Sequence, residues 1–347
     1  MKNLFCFRLI LLSLILVQIT GCDPEPAGQQ FSGHDSLPQS TDRQPLPLPT
    51  SGINEADLNY APSFPATVKD YRGQDIEIVN QPQRIISLLP SHTETLFALG
   101  AGDQMVGCTS LCNYPPETKG LKKITIANPG KISLEALVEL QPDLVLTGGD
   151  YHREISEQLT RLKIPVLSFE SQSLLDIKGS IRGIAAATGH ADKAELLVYK
   201  IEREIQAIQD QLKPYQKKGK PLVFYQVWNQ PLMTAGPTSF IGALIKLAGG
   251  ENIFADVKIA YPQVSEETLI LRNPDVILIP QLKEGSTDPA ATLLKLSQRP
   301  GWKQMNAVKN KRVYLIEDDL ISRPGPRVVQ GLQKIAQALY PEAFQEQ

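Results

Sequence analysis

Near the C-terminal end of the chain, Asp319 stands four residues before Arg323, and Arg323 opens the run Arg323-Pro324-Gly325-Pro326-Arg327. Two prolines and a glycine fix the backbone while an acid and two guanidiniums project from it, a combination that holds polar groups still for a ligand. A surface turn with Asp319 paired locally to Arg323 accounts for the same residues. Two glutamates form a second set. Glu135 and Glu267 each stand seven residues before a Pro-Asp pair, Pro142-Asp143 and Pro274-Asp275, and Leu137 and Leu269 match at the same offset of 132 residues. Each copy reads as a short helix ended by proline, then a buried apolar strand. Helix-Pro-Asp-strand is also simply a common way to enter a parallel strand.

Other chemistry-bearing residues point to less. Cys108 and Cys112 are the thiols that remain beyond Cys6 and Cys22. In an oxidising compartment they invite a disulfide, provided that the loop between them bends sharply. The competing reading buries Cys108 in a strand and turns Cys112 to solvent or ligand. His34, His92, His152 and His190 are scattered with no pair at metal-ligand spacing, so no metal site is expected. Ser91-His92 is a neighbour pair without a nucleophile elbow, which leaves a cleft hydrolase as a remote alternative. Gly148-Gly149 lacks the spacing of a dinucleotide loop or P-loop and reads as a tight turn.

The elements that must position these residues alternate between strand and helix. Gly189 to Lys213 is the strongest helical pattern, with Ala194, Leu197, Val198, Ile201, Ile205, Ile208 and Leu212 on one face. Asp192 is placed to cap it, and Pro214 stops it. Before it come strands at Arg84–Leu89, Met105–Cys108 and Pro165–Phe169, with Ser91 and Glu94 in a capping-box pattern that opens a helix ending near Gly100. After it come strands at Pro221–Val227 and Arg312–Ile316, helices at Phe240–Leu247 and Val328–Leu339, and Asp319 in a loop. The expected fold class is α/β, two Rossmann-like lobes with parallel sheets joined by a single long rigid helix. The expected divisions are 67–188 and 214–347 for the lobes and 189–213 for the bridging helix. In such sheets, loops at strand carboxyl ends bind ligands, which places Ser91 to Thr93, Leu111 to Tyr114 and Gly148 to His152 at the cleft.

The N-terminus supplies an address. Lys2 and Arg8 precede an apolar run from Leu9 to Val17, the length of a signal-peptide core, followed by Ile19-Thr20-Gly21-Cys22. That ending resembles a bacterial lipobox: residues 1–21 form the lipoprotein signal peptide, Cys22 takes the lipid, and 22–66, rich in proline and serine, form a flexible tether. The formal charge of −2 gives no sign of nucleic-acid binding. The expected location is the cell envelope, on its periplasmic or extracytoplasmic side, by lipid anchor.

Several motifs together resemble the iron-siderophore and cobalamin-binding proteins of bacterial ABC importers, closest to the cobalamin-binding branch. They are Arg84-Ile85-Ile86-Ser87-Leu88 with Pro90 and Thr93-Glu94, Asn113-Tyr114-Pro115-Pro116, Leu134-Glu135 with Pro142-Asp143, Gly249-Gly250-Glu251-Asn252, Tyr261-Pro262-Gln263 and Pro326-Arg327. The resemblance implies a monomeric solute-binding protein, not an enzyme, that needs no cofactor, carries a corrinoid as transported ligand, and docks on an inner-membrane ABC permease through Glu135 and Glu267. Ferric siderophore or haem is the alternative within the class. It also implies that Asp319 and Arg323 meet the ligand's polar edge and that Tyr261 and Met233 pack against it. Leu111 stands where an aromatic is expected, and Tyr151 and Trp228 are placed to compensate from nearby loops.

Overall fold

A computed structural model describes residues 63–124, 126–127, 131–281 and 288–345. The proposed signal peptide, Cys22, His34 and nearly all of the tether lie outside these residues. The described chain opens with a hairpin, β1 (Ala66–Lys69) against β2 (Asp75–Ile78). Its turn is held by Asp70, whose carboxylate accepts the Arg72 and Gln74 amides.

The first half then runs β3 (Ile85–Ser87), α1 (Pro90–Ala98), β4 (Met105–Thr109), β5 (Lys122–Ile124), a small antiparallel pair β6 (Ile126–Ala127) and β7 (Lys131–Ile132), and α2 (Leu134–Val138). It continues through β8 (Leu144–Gly148), α3 (Arg153–Arg161), β9 (Val166–Phe169) and α4 (Leu174–Thr188). Its sheet has the order β5-β4-β3-β8-β9, parallel throughout. Alternation along the strands feeds two cores. Ile85, Leu144 and Leu146 face α4 and its neighbours, while Ile86, Val145 and Leu88 face α2 and α3 through Leu137, Ile155 and Leu159.

Helix α5 (Ala191–Leu212) follows. It is shorter at its start than the apolar pattern implies because Gly189, at φ 79°, ends α4 instead, and no side chain caps α5. Asp192 therefore sits inside the first turn. Ala194, Val198, Ile201, Ile205, Ile208 and Leu212 are buried, as the pattern requires.

The second half comprises β10 (Leu222–Trp228), β11 (Met233–Thr234), α6 (Phe240–Leu247), β12 (Glu251–Asn252), α7 (Glu266–Arg272), β13 (Val276–Gln281), α8 (Pro289–Ser297), α9 (Asn306–Lys309), β14 (Val313–Glu317), α10 (Asp318–Ile321) and α11 (Val328–Leu339). Strands β12, β13 and β14 run parallel within the β10 sheet, and β11 is an antiparallel edge that sequence reading missed. Val223, Val276 and Leu278 join the core that α5 shares with the first half; Phe224 and Ile277 face a separate core with Leu269 and Trp302.

The 132-residue repeat has a structural cause. Asp143 accepts the amides of Gln83 (2.7 Å) and Arg84 (2.8 Å), just before β3; Asp275 accepts the amide of Leu222 (3.0 Å), the first residue of β10. Each aspartate thus pins the start of the neighbouring central strand. Gln141 and Asn273, one residue before each proline, both take positive φ, at 45° and 43°. Ser133 and Ser265 cap the two short helices, accepting the Ala136 and Thr268 amides. Caps, left-handed breaks and aspartates recur at one spacing, so the repeat is structural and goes beyond a convenient way into a strand.

Candidate functional site

Loops from both halves meet at the carboxyl ends of the strands. Strand β3 leads into α1, where Glu94 is buried, and β14 leads into α10 and the Arg323–Arg327 segment. The capping-box expectation for Ser91 and Glu94 fails here. Helix α1 begins at Pro90 with Leu89 as its N-cap and no side-chain cap, so Glu94 lies too far along the helix to reach back. Its carboxylate turns instead to the other half. Arg327 Nε donates to Oε2 at 2.7 Å and Arg327 Nη2 to Oε1 at 2.6 Å, a paired contact, and Arg323 Nη1 reaches Oε1 at 3.3 Å.

Asp319 is also misplaced by sequence reading, which put it in a loop. Residues 318–321 form a helical turn because the Asp318 carbonyl accepts the Ser322 amide. That turn stacks Asp319 one turn below Arg323, and their ion pair is 2.6 Å. Arg323 Nη1 donates further to Asn113 Oδ1 (2.8 Å) and Nη2 to the Leu111 carbonyl (3.1 Å), while Asn113 Nδ2 donates to Asp319 (3.0 Å). The Arg327 guanidinium lies 4.2 Å from the centre of the Tyr114 ring. Glu94 therefore pairs with both guanidiniums across the junction of the halves, Asp319 pairs with Arg323 from within the second half, and Glu317 is a further acid that acts on Arg327. Gly325 permits the approach, since a Cβ there would lie 3.3 Å from both the Ser91 side chain and its carbonyl.

Leu111 enters this cluster through its carbonyl, following β4. Trp228, at the end of β10, donates its indole N–H to the Gln230 carbonyl at 2.6 Å. Tyr151 follows β8 and its ring lies 4.6 Å from that of His152. Tyr261 is half-buried against the shared core, and burial pushes its phenol up to about 12. Met233 is buried in that same core, with its backbone bridged to Gln263. The residues thus divide into a polar group, with Asp319, Arg323 and Leu111 in contact, and an apolar group spread along the strand ends.

Behind the first-half loops lie further buried polar groups. Burial pushes His92 down to about 3 and His152 down to about 4, so both rings are neutral near pH 7. His152 Nδ1 accepts the Gly148 amide at 2.9 Å, which puts the ring proton on Nε2. Cys108 and Cys112 are free thiols and both are buried, so Cys112 faces neither solvent nor an open cleft. Cys112 Sγ is held by the Thr93 and Thr109 hydroxyls at 3.2 and 3.3 Å, and Lys123 Nζ donates to Cys108 Sγ at 3.1 Å. Among the described residues no cluster of three metal-binding side chains occurs, and no helix is long and apolar enough to cross a membrane.

Glu135 and Glu267 lie apart from this cluster, exposed in the first turns of α2 and α7. The Ser133 hydroxyl, 2.7 Å away, holds the Glu135 carboxyl below its usual range; for Glu267 its own backbone amide does so first and Ser265 second. Both carboxylates are charged at neutral pH and face outward from matched frames.

Residues 85–320 match the pattern of a family described as periplasmic binding protein. An uncharacterized ABC transporter substrate-binding lipoprotein of Bacillus subtilis (strain 168) is 33% identical over 82% of this chain and 88% of its own. A vitamin B12-binding protein of Pectobacterium carotovorum subsp. carotovorum (strain PC1) is 34% identical over 74% of this chain and 88% of its own. Among solved structures, a periplasmic heme-binding protein from Roseiflexus sp. RS-1 superposes with a TM-score of 0.66 at 29% identity, covering 76% of this chain and 99% of that one. With two mainly parallel sheets, a connecting helix and a matching pattern over residues 85–320, the chain belongs to the periplasmic binding protein family.

Proposed function

We propose that this solute-binding protein captures a corrinoid, cobalamin or a close relative, between its halves and delivers it to an ABC permease while anchored by lipid at Cys22. Its family is one of extracytoplasmic solute carriers, which gives the transport role; the ligand and the anchor are the finer steps. One observation carries the ligand assignment. In the polar cluster at the junction each guanidinium already has a carboxylate partner, Arg327 with Glu94 and Arg323 with Glu94 and Asp319. A corrinoid is rimmed by neutral amides, which need donors and acceptors in fixed places and no surplus charge. The vitamin B12-binding name of the Pectobacterium relative supports the same choice.

In this reading Asp319, Arg323 and the Leu111 loop meet the amide rim, while Trp228, Tyr151 and Tyr261 offer apolar area. Met233 is buried in the core against which Tyr261 packs. Glu135 and Glu267 dock on cationic residues of the permease and set register and encounter rate. Titration of the purified protein with cyanocobalamin tests the ligand: saturable binding is expected, and none at roughly tens of micromolar, an affinity weaker than about −6 to −7 kcal/mol, sinks it. Haem is the second reading, favoured by the heme-binding structural relative. A hemin titration followed by its visible spectrum separates the two.

A further inference from the structure

We propose that Glu94 is the specificity-determining residue of the cleft: an internal counter-ion that satisfies Arg327 and Arg323 and so turns away ligands that bring a carboxylate to these guanidiniums. The inference deepens the corrinoid reading and rests on it for the identity of the favoured ligand. Its geometry stands apart from that reading. The Glu94 side chain is 2% exposed and both its oxygens are taken by guanidinium N–H groups from the opposite half. Arg327 presents its Nε and one Nη to the two oxygens side by side, the arrangement in which a guanidinium binds a ligand carboxylate. Glu94 thus occupies the place that an anionic ligand group would claim.

The Nη donors of Arg323 are matched as closely. Asp319 takes Nη2 at 2.6 Å, and Asn113 and Leu111 supply neutral acceptors. An incoming anion must therefore displace a carboxylate that is already desolvated and held on a helix at a fixed distance. The displaced carboxylate would then sit without a partner where water does not reach it, and that penalty falls on the ligand's affinity. A neutral amide ligand displaces nothing charged. Two features keep the counter-ion in place: α1 holds Glu94 from one side, and Gly325 lets the Arg323–Arg327 segment lie directly on the first turn of α1.

The test compares affinities for cyanocobalamin and for its monocarboxylate, in which one rim amide is hydrolysed, with hemin as a second anionic probe. In the wild-type protein the neutral corrinoid is preferred. In Glu94→Gln the preference shifts toward the monocarboxylate by on the order of tenfold, and hemin affinity rises in the same direction. Glu94→Asp, which keeps the charge, retains the wild-type ratio more closely than Glu94→Gln. Should Glu94→Gln fail to fold, Asp319→Asn removes the other, less buried carboxylate and must shift the ratio the same way. A folded Glu94→Gln, or a folded Asp319→Asn in its place, that gains nothing for either anionic probe overturns the inference. Failure of the wild-type protein to bind cyanocobalamin overturns the corrinoid reading alone, because hemin still reports whether removing the carboxylate admits an anion.

Discussion

The two halves are alike where their central strands begin and unlike where they end. At the beginnings, Asp143 and Asp275 do one job twice, each accepting a backbone amide at the start of the neighbouring strand after a left-handed residue and a proline. At the ends, the first half presents the acid, Glu94, backed by buried imidazoles and thiols, and the second presents the guanidiniums of Arg323 and Arg327. Repetition therefore marks what each half needs to fold, and asymmetry marks where the halves meet each other. Substitutions at the two kinds of position should behave differently.

The largest effect is expected at the asymmetric end. Glu94→Ala leaves two guanidiniums without their shared carboxylate, and removing one partner of a buried pair costs about 3 to 5 kcal/mol. Chemical denaturation should register that loss, and a shift no larger than that of an ordinary surface substitution would show that the cluster is open to water. Next comes acid sensitivity, which the comparison assigns to the first half. His92 and His152 have folded values depressed below the ordinary 6.5, so the unfolded chain binds their protons first. Their stabilising contribution is present above about pH 6.5 and falls as pH drops toward 4, by roughly 2 kcal/mol per ring between pH 7 and 5. Urea midpoints across that range should decline in the wild-type protein and decline less in His92→Leu; equal slopes would remove His92 from the account.

At the repeated positions the two halves should respond equally. Asp143→Ala forfeits two charge-assisted bonds to backbone amides, and Asp275→Ala one such bond and a second from the Asn306 side chain, so each should cost about 1.5 kcal/mol or somewhat more. Measured side by side, a large inequality would mean that one aspartate does a job the other does not. Smallest in stability, and largest in physiology, is the pair Glu135→Ala and Glu267→Ala. Melting midpoint and ligand affinity should stay where they are while uptake by cells is lost, and loss of ligand binding by the purified double variant would falsify their assignment to docking.

Most of the architecture was legible because apolar period and proline report local physics. The face of α5 from Ala194 to Leu212, the helices Phe240–Leu247 and Val328–Leu339, and the matched Glu-to-Asp spacing all follow from neighbours along the chain. The site was legible only in part. Asp319 and Arg323 were visible because their pairing is local, one helical turn apart. Glu94 was misread because Ser91-x-x-Glu94 satisfies a capping pattern, while its real partner, Arg327, lies 233 residues away and is named by no local signal. Met233 looked available for a ligand because nothing in the sequence tells an edge strand turned inward from one facing a cleft. Cys112 was open to two readings, and its burial beside Thr93 and Lys123 depends on the path of β5.

Helix α5 has a consequence for how the molecule comes apart. Its buried face belongs to one hydrophobic cluster that runs from Val68 and Ile181 in the first half to Leu244 and Leu332 in the second. Neither half can shed its share of that cluster without exposing the other's, so the energetic boundary between them is weaker than the architectural one. Heating should melt the protein in a single cooperative step, with calorimetric and van't Hoff enthalpies in agreement. A chain so built has the architecture of two units and the resistance to partial unfolding of one.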